Sequence, residues 1–167
     1  VYDHRNTGAS GGAPRGEIDP WQQISDMRDA ITYAASRPEV AADRIGLWGT
    51  SFSGGHSLVV AATDARIKCV VSVVPTISGH ENTIRALTTD GYGAFLKEVH
   101  EERAARQRGE EPRSIPISKE GDESFEWSKV AGAGTTYVNA CTLLSRGLRD
   151  TYEPGSYIAA ISPTPLL

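Results

Sequence analysis

The stretch from Arg44 to Gly55 limits this chain's fold more tightly than any other. A short apolar run, Ile45 to Trp48, meets a knot of small residues centred on Ser51. A helix-compatible segment, His56 to Thr63, follows at once. A brief apolar run bounded by turn residues fits a buried strand. Gly49 and Ser53, two before and two after Ser51, leave room for a backbone that turns sharply from strand into helix. A serine at the apex of such a turn has its hydroxyl lifted into an open pocket, the geometry of a nucleophile elbow. Glycine is the commoner residue at the second flank, but serine keeps the site small. A serine hydroxyl alone is a weak nucleophile, so the reading also requires a base and donors for a developing oxyanion. The backbone N–H of Phe52, the next residue, would serve as one donor, helped by the dipole of the helix that begins there.

The flanks supply an α/β setting. A turn-rich stretch, Asn6 to Gly16, reads as a loop. Asp19-Pro20 then starts a helix, with a capping carboxylate before a proline at the first helical position. This helix is predicted over Pro20 to Arg37, with Trp21, Ile24, Met27, Ile31 and Ala34 on its apolar face. The β-branched run from Lys68 to Pro75 predicts a strand buried on both faces of a parallel sheet. From Thr76 the regularity fades. A charged helix over Phe95 to Glu111 carries a narrow apolar edge at Phe95, Leu96 and Val99, and its charges read as a solvated face. Lys97/Glu101 and Glu102/Arg106 are opposite charges four apart. Arg113 to Asp122 reads as loop. A further helix is predicted over Thr136 to Arg149, with Val138, Cys141, Leu144 and Leu148 inward. Residues 1–75 are therefore expected to form a core with the elbow, 76–150 a mostly helical cap, and 151–167 a return to the sheet. Tyr157 to Leu167 leads into a further strand.

Composition excludes several function classes. The 167 residues carry a net charge of −4, with no cationic surplus for nucleic acid or an anionic membrane. Cys69 and Cys141 lie far apart in apolar surroundings and read as small buried hydrophobes. No cluster has metal-ligand spacing, and no cofactor is expected. Gly8-Ala9-Ser10-Gly11-Gly12 lacks the spacing of a dinucleotide loop. Of the four histidines, His100 reads as solvated, His56 as a packed residue and His4 as a loop-structuring one. His80 follows the buried strand at the end where parallel sheets bind ligands, so it is a candidate to touch substrate.

Two segments carry a resemblance. Tyr2-Asp3-x-Arg5-x-x-Gly8-x-Ser10 is similar to the loop after the fourth strand of the α/β-hydrolase superfamily. Together with Ile45 to Gly55, it resembles the dienelactone-hydrolase-like and X-Pro-peptidase-like branch, whose bacterial and fungal members are often linked to polyketide metabolism. The resemblance implies a partial α/β-hydrolase fold, a parallel sheet with flanking helices and an inserted cap. It also implies a catalytic acid after the strand beginning at Pro165 and a histidine later still, both outside the chain. The second oxyanion amide would likewise come from a missing loop.

The first functional reading is a serine hydrolase acting on small-molecule ester, thioester or amide-like acyl groups through acyl-Ser51. The second is a truncated, catalytically incomplete piece or an interaction module. Its unpaired sheet edges would then predict self-association. The ends, Val1 and Leu167, read as those of a fragment. A cytoplasmic location is the default for unpaired cysteines.

Overall fold

The computed structural model describes residues 1–87 and 89–167, and its backbone separates into two compact units. Pro20–Leu87 groups with Asp150–Leu167, while Val1–Asp19 groups with the segment that ends at Arg149. The partition differs from the sequence boundaries at 75 and 150. The first nineteen residues group with the expected cap, and residues 76–87 group with the elbow.

The elbow unit is built on one strand–helix–strand crossover. Its elements are α1 (Pro20–Ala35), β1 (Ile45–Thr50), α2 (Ser51–Thr63), β2 (Ile67–Val73), α3 (Gly79–Ala86) and a 3-10 segment, Pro154–Ile161. β1 and β2 pair in parallel from Ile45 opposite Ile67 to Thr50 opposite Val73. The expected further strand begins on the other edge of β2, where Leu166 bridges Val70 in parallel. Val70 N–H donates to the Pro165 carbonyl at 2.9 Å, and Leu167 N–H donates to the Val70 carbonyl at 3.0 Å.

Ile24, Met27 and Ile31 of α1 share a core with Leu58, Val59 and Val60 of α2 and with Ile67 and Val70 of β2. Full burial of each such side chain stabilises by roughly 1.5–3 kcal/mol. β2 is not buried on both faces as its sequence suggested. Ile67 and Val70 point inward, while Lys68, Cys69 and Val73 are exposed. Cys69 is therefore not a core residue. A β-branched run suits either face of a strand, so composition alone hides which face is covered.

The other unit contains α4 (Thr89–Gln107), β3 (Ser114–Ile115), α5 (Glu123–Ala131), β4 (Cys141–Thr142) and α6 (Leu143–Asp150). The helix predicted over 136–149 is replaced by loop, β4 and the short α6. Cys141 and Leu144 are buried as expected, but Val138 is 69% exposed. The backbone at Cys141–Thr142 pairs antiparallel with Ser114–Ile115, a nonlocal ladder invisible to helical periodicity. Gly147 lets α6 approach α4, since a β-carbon there would lie 2.7 Å from Val99 Cγ1. The N-terminal loop folds on Asp3, whose carboxylate accepts the Ala9 N–H at 2.8 Å. Residues 1–3 form no strand. Arg15 braces the loop by donating to the carbonyls of Gly8 and Ser10.

The charges on α4 do not form a uniformly solvated face. Glu102 is 6% exposed. Arg106 Nε donates to Glu102 Oε1 at 2.8 Å, and Arg106 Nη1 donates to Glu17 Oε2. Glu102 Oε1 also accepts the Arg113 N–H at 3.1 Å, and the Thr142 hydroxyl donates to Glu17 at 3.1 Å. Burial alone would push the Glu102 carboxyl up, but the Arg106 and Arg113 donors outweigh it and hold the group below the usual glutamate range. Among the described residues, no helix is long and apolar enough to cross a membrane.

Removing Arg106 would leave the buried Glu102 and the half-buried Glu17 without their shared cation. Arg106→Ala should lower stability by about 3 kcal/mol in urea unfolding. Because the folded value of Glu102 is depressed, its contribution is present above the ordinary glutamate range and is lost as pH falls through the folded value. Glu102→Gln should flatten this acid limb; an equally steep limb in the variant would show that the cluster does not carry it.

Candidate active site

β1 ends at Thr50 and α2 begins at Ser51, with no residue between them. Ser51 takes φ 54°, the left-handed region that a β-carbon resists, and its side chain is exposed. Such a conformation costs on the order of 1–3 kcal/mol and persists only where the surroundings enforce it. Three contacts do so. A β-carbon at Gly49 would run into the Ser53 carbonyl oxygen and the Ser57 hydroxyl, so only glycine fits beneath the turn. Ser53 Oγ accepts the Thr50 N–H at 3.1 Å and donates to the Thr50 carbonyl at 2.9 Å. The serine that replaces the commoner glycine thus clips the turn shut. The Ser51 carbonyl accepts the Thr76 N–H at 2.9 Å, which ties the turn to the loop after β2.

That neighbouring loop is strained too. Val74 has φ 41° and is 77% exposed, an unusual state for a β-branched residue. Two strained residues therefore stand just beyond the carboxyl ends of paired parallel strands, where α/β sheets bind ligands. The Phe52 N–H belongs to the first turn of α2, whose amides lack intrahelical acceptors and lie at the positive end of the helix dipole.

Behind the turn lies a buried polar chain. His56 is 1% exposed, with Nδ1 2.8 Å from the Tyr152 hydroxyl and Nε2 2.9 Å from Gln23 Oε1. The Gln23 amide oxygen only accepts, so Nε2 carries the proton and Nδ1 accepts from Tyr152. Both ring nitrogens are occupied, so His56 packs, as its position on α2 suggested. The Phe52 ring sits edge-on to His56 at 4.6 Å and to Tyr152 at 5.4 Å. Burial raises the Tyr152 phenol far above its ordinary value, which keeps it a neutral donor. Gly55 leaves room chiefly for the Thr76 carbonyl, which a β-carbon there would meet at 2.7 Å, with the Tyr152 hydroxyl at 3.2 Å. Gln23 was missed in the sequence, although a polar residue between the inward positions Pro20 and Met27 of an apolar face was the available signal.

His80 lies in the first turn of α3, exposed, with Nδ1 3.4 Å from Asp150 Oδ1. The Asp150 side chain is 8% exposed, so a buried carboxylate backs a solvent-facing imidazole. The His80 N–H donates to Glu153 Oε1 at 3.1 Å, and the Ser78 hydroxyl donates to the same oxygen at 2.8 Å. His100 is exposed on α4. His4 meets the Tyr2 ring at 4.9 Å, and its carbonyl accepts the Thr7 hydroxyl at 2.7 Å within the loop. Among the described residues, no histidine hydrogen-bonds to the Ser51 hydroxyl, and no three His, Cys, Asp or Glu side chains are placed to hold a metal ion.

The chain as a whole is similar to known proteins. Residues 1–114 match the X-Pro dipeptidyl-peptidase (S15 family). The chain is 32% identical to the acyltransferase drtE of Aspergillus calidoustus, over 100% of its own length and 57% of that protein. It is 31% identical to the thiohydrolase aneE of Aspergillus aculeatus, over 99% of its length and 57% of that protein. The crystal structure of the α/β hydrolase GrgF from Penicillium sp. sh18 matches with a TM-score of 0.83 and 29% identity, over 99% of this chain and 58% of that one. The chain thus spans 57% of the length of these two curated relatives. On its match over residues 1–114 and on its fold, the chain belongs to the X-Pro dipeptidyl-peptidase (S15) family, with the architecture of an α/β hydrolase.

Proposed function

We propose that the protein performs serine-dependent acyl transfer, with Ser51 as nucleophile and the Phe52 N–H as one oxyanion donor. The observation that carries this reading is the exposed Ser51 held at φ 54° on a clipped strand–helix junction. Ser51 Oγ attacks the carbonyl carbon of a small-molecule thioester, ester or amide-like substrate and gives its proton to a histidine base. The tetrahedral oxyanion accepts the Phe52 N–H. The bond to the leaving thiol, alcohol or amine breaks, the leaving group takes the proton, and acyl-Ser51 remains. Water or a second nucleophile then attacks that ester and regenerates the hydroxyl.

The relatives' names, thiohydrolase and acyltransferase, are the two outcomes of such an intermediate; they differ only in what accepts the acyl group. The acid and the histidine are assigned to sequence of the kind that makes those relatives longer. His80 is assigned to substrate contact, since its exposed ring stands in the first turn of the helix that follows β2, with Asp150 Oδ1 3.4 Å from Nδ1.

A fluorophosphonate probe should label the full-length protein, and Ser51→Ala should abolish labelling and lower turnover by at least about 10⁴-fold. Unchanged labelling in the variant would remove the nucleophile assignment. His80→Ala should raise KM by about three- to tenfold, the worth of one hydrogen bond, with little change in kcat. A collapse of kcat at constant KM would instead make His80 the base. Tyr152→Phe strands His56 Nδ1 in the core, so thermal or urea unfolding should show a loss of about 1–3 kcal/mol.

A further inference from the structure

The residue that follows β2 strains the fold and returns it little burial. Val74 takes φ 41°, a region where a β-branched side chain is a steric outlier and glycine is at ease. Burying the side chain would offset that strain, but Val74 is 77% exposed. Strain of this kind is characteristic of functional sites, where the surroundings enforce it.

The flanking residues do the enforcing. Ser72 Oγ donates to the Gly54 carbonyl at 3.0 Å. Pro75 lies against Gly54, where a β-carbon would meet the Pro75 Cα at 3.1 Å. Thr76 is buried, and its N–H donates to the Ser51 carbonyl at 2.9 Å. Residues 72, 75 and 76 are thus pinned to the first turn of α2, while Val74 stays exposed among them.

The parallel ladder brings Val74 to the candidate nucleophile. Thr50 opposite Val73 is the last pair of β1 and β2. Ser51 and Val74 are the next residues along the two strands, and both leave with positive φ. Neighbouring strands lie about 4.8 Å apart. The Thr76–Ser51 hydrogen bond then holds the two strand ends together beyond the ladder. Both residues belong to the same compact unit.

We infer that Val74 selects the acyl group: its exposed methyls contact the first carbons of the chain carried by Ser51 and favour hydrocarbon there. The assignment rests on the acyl-transfer reading and narrows its substrate to acyl groups that are apolar beside the carbonyl. One methylene in such a contact is worth about tenfold in discrimination.

The test compares n-propylboronic acid with methoxymethylboronic acid, which differ only by an ether oxygen in place of the second carbon. Boron takes the Ser51 oxygen into a reversible tetrahedral adduct, the hydroxyl proton passes to the base, and the alkyl group stands where the acyl chain would. Affinities are read in the full-length protein from competition with fluorophosphonate labelling. Val74→Gly should lower the propyl-to-methoxymethyl affinity ratio by about tenfold. The intrinsic difference between the two acids cancels when the ratio is compared between proteins. Val74→Thr keeps the branched shape and the strain, and it should shift the ratio in the same direction. The urea midpoint of Val74→Gly should be unchanged or higher, because glycine relieves the strain. An affinity ratio unchanged in both variants would overturn the inference, as would a lower midpoint in Val74→Gly, the mark of a valine kept for stability. Failure of the Ser51 assignment would instead show as labelling that survives Ser51→Ala, so the two failures are distinguishable.

Discussion

A serine held in a left-handed conformation organises the elbow unit, and the neighbouring contacts make sense as what holds it there. Relaxing Ser51 would recover on the order of 1–3 kcal/mol. It would also break the paired Ser53–Thr50 hydrogen bonds and the Thr76–Ser51 bond, each worth about 1 kcal/mol. It would pull on α2, whose Leu58, Val59 and Val60 are buried and worth roughly 1.5–3 kcal/mol apiece. The enforcing terms exceed the strain, so the turn stays and the hydroxyl remains exposed. Gly49, Gly54 and Gly55 each open a different approach: the turn above, Pro75 of the next loop, and the Thr76 carbonyl.

The second unit is held by different physics. Its apolar contacts are modest, with Phe95, Val99, Cys141, Leu143 and Leu144 buried. Charge fixes the rest, since Arg106 joins Glu102 of its own helix to Glu17 of the N-terminal loop. Ile18 N–H donates to the Ser145 hydroxyl at 2.8 Å, and Thr142 N–H donates to the Gly16 carbonyl at 3.0 Å, so the loop and the β4–α6 region share one hydrogen-bonded seam.

What the sequence disclosed was local, and what it hid was long-range. The strand–helix junction at Ser51 was legible because strand, small residues and helix lie within twenty residues, and α1 because Ile24, Met27 and Ile31 recur at helical spacing. The helix expected over 136–149 failed because Cys141 and Thr142 pair with a strand some 27 residues away, while Val138, Cys141 and Leu144 happen to fall at three-residue steps. Glu102 and Arg106 read as a weak surface pair because Glu17, far back in the chain, gave no sign that it closes the cluster. The His56–Tyr152 bond spans 96 positions, beyond any motif. The candidate nucleophile was readable, but the support that holds it was only partly so.

The claim that Ser51 is shaped to carry an acyl group is tested most directly by trapping that group. The full-length protein would be mixed with a slowly deacylating thioester, quenched in acid within the first turnover, and analysed by intact-mass spectrometry and peptide mapping. One added acyl mass is expected on the peptide containing Ser51, formed before product and released by hydroxylamine. Product accumulating with Ser51 unmodified, or an acyl group found on another residue, would contradict it.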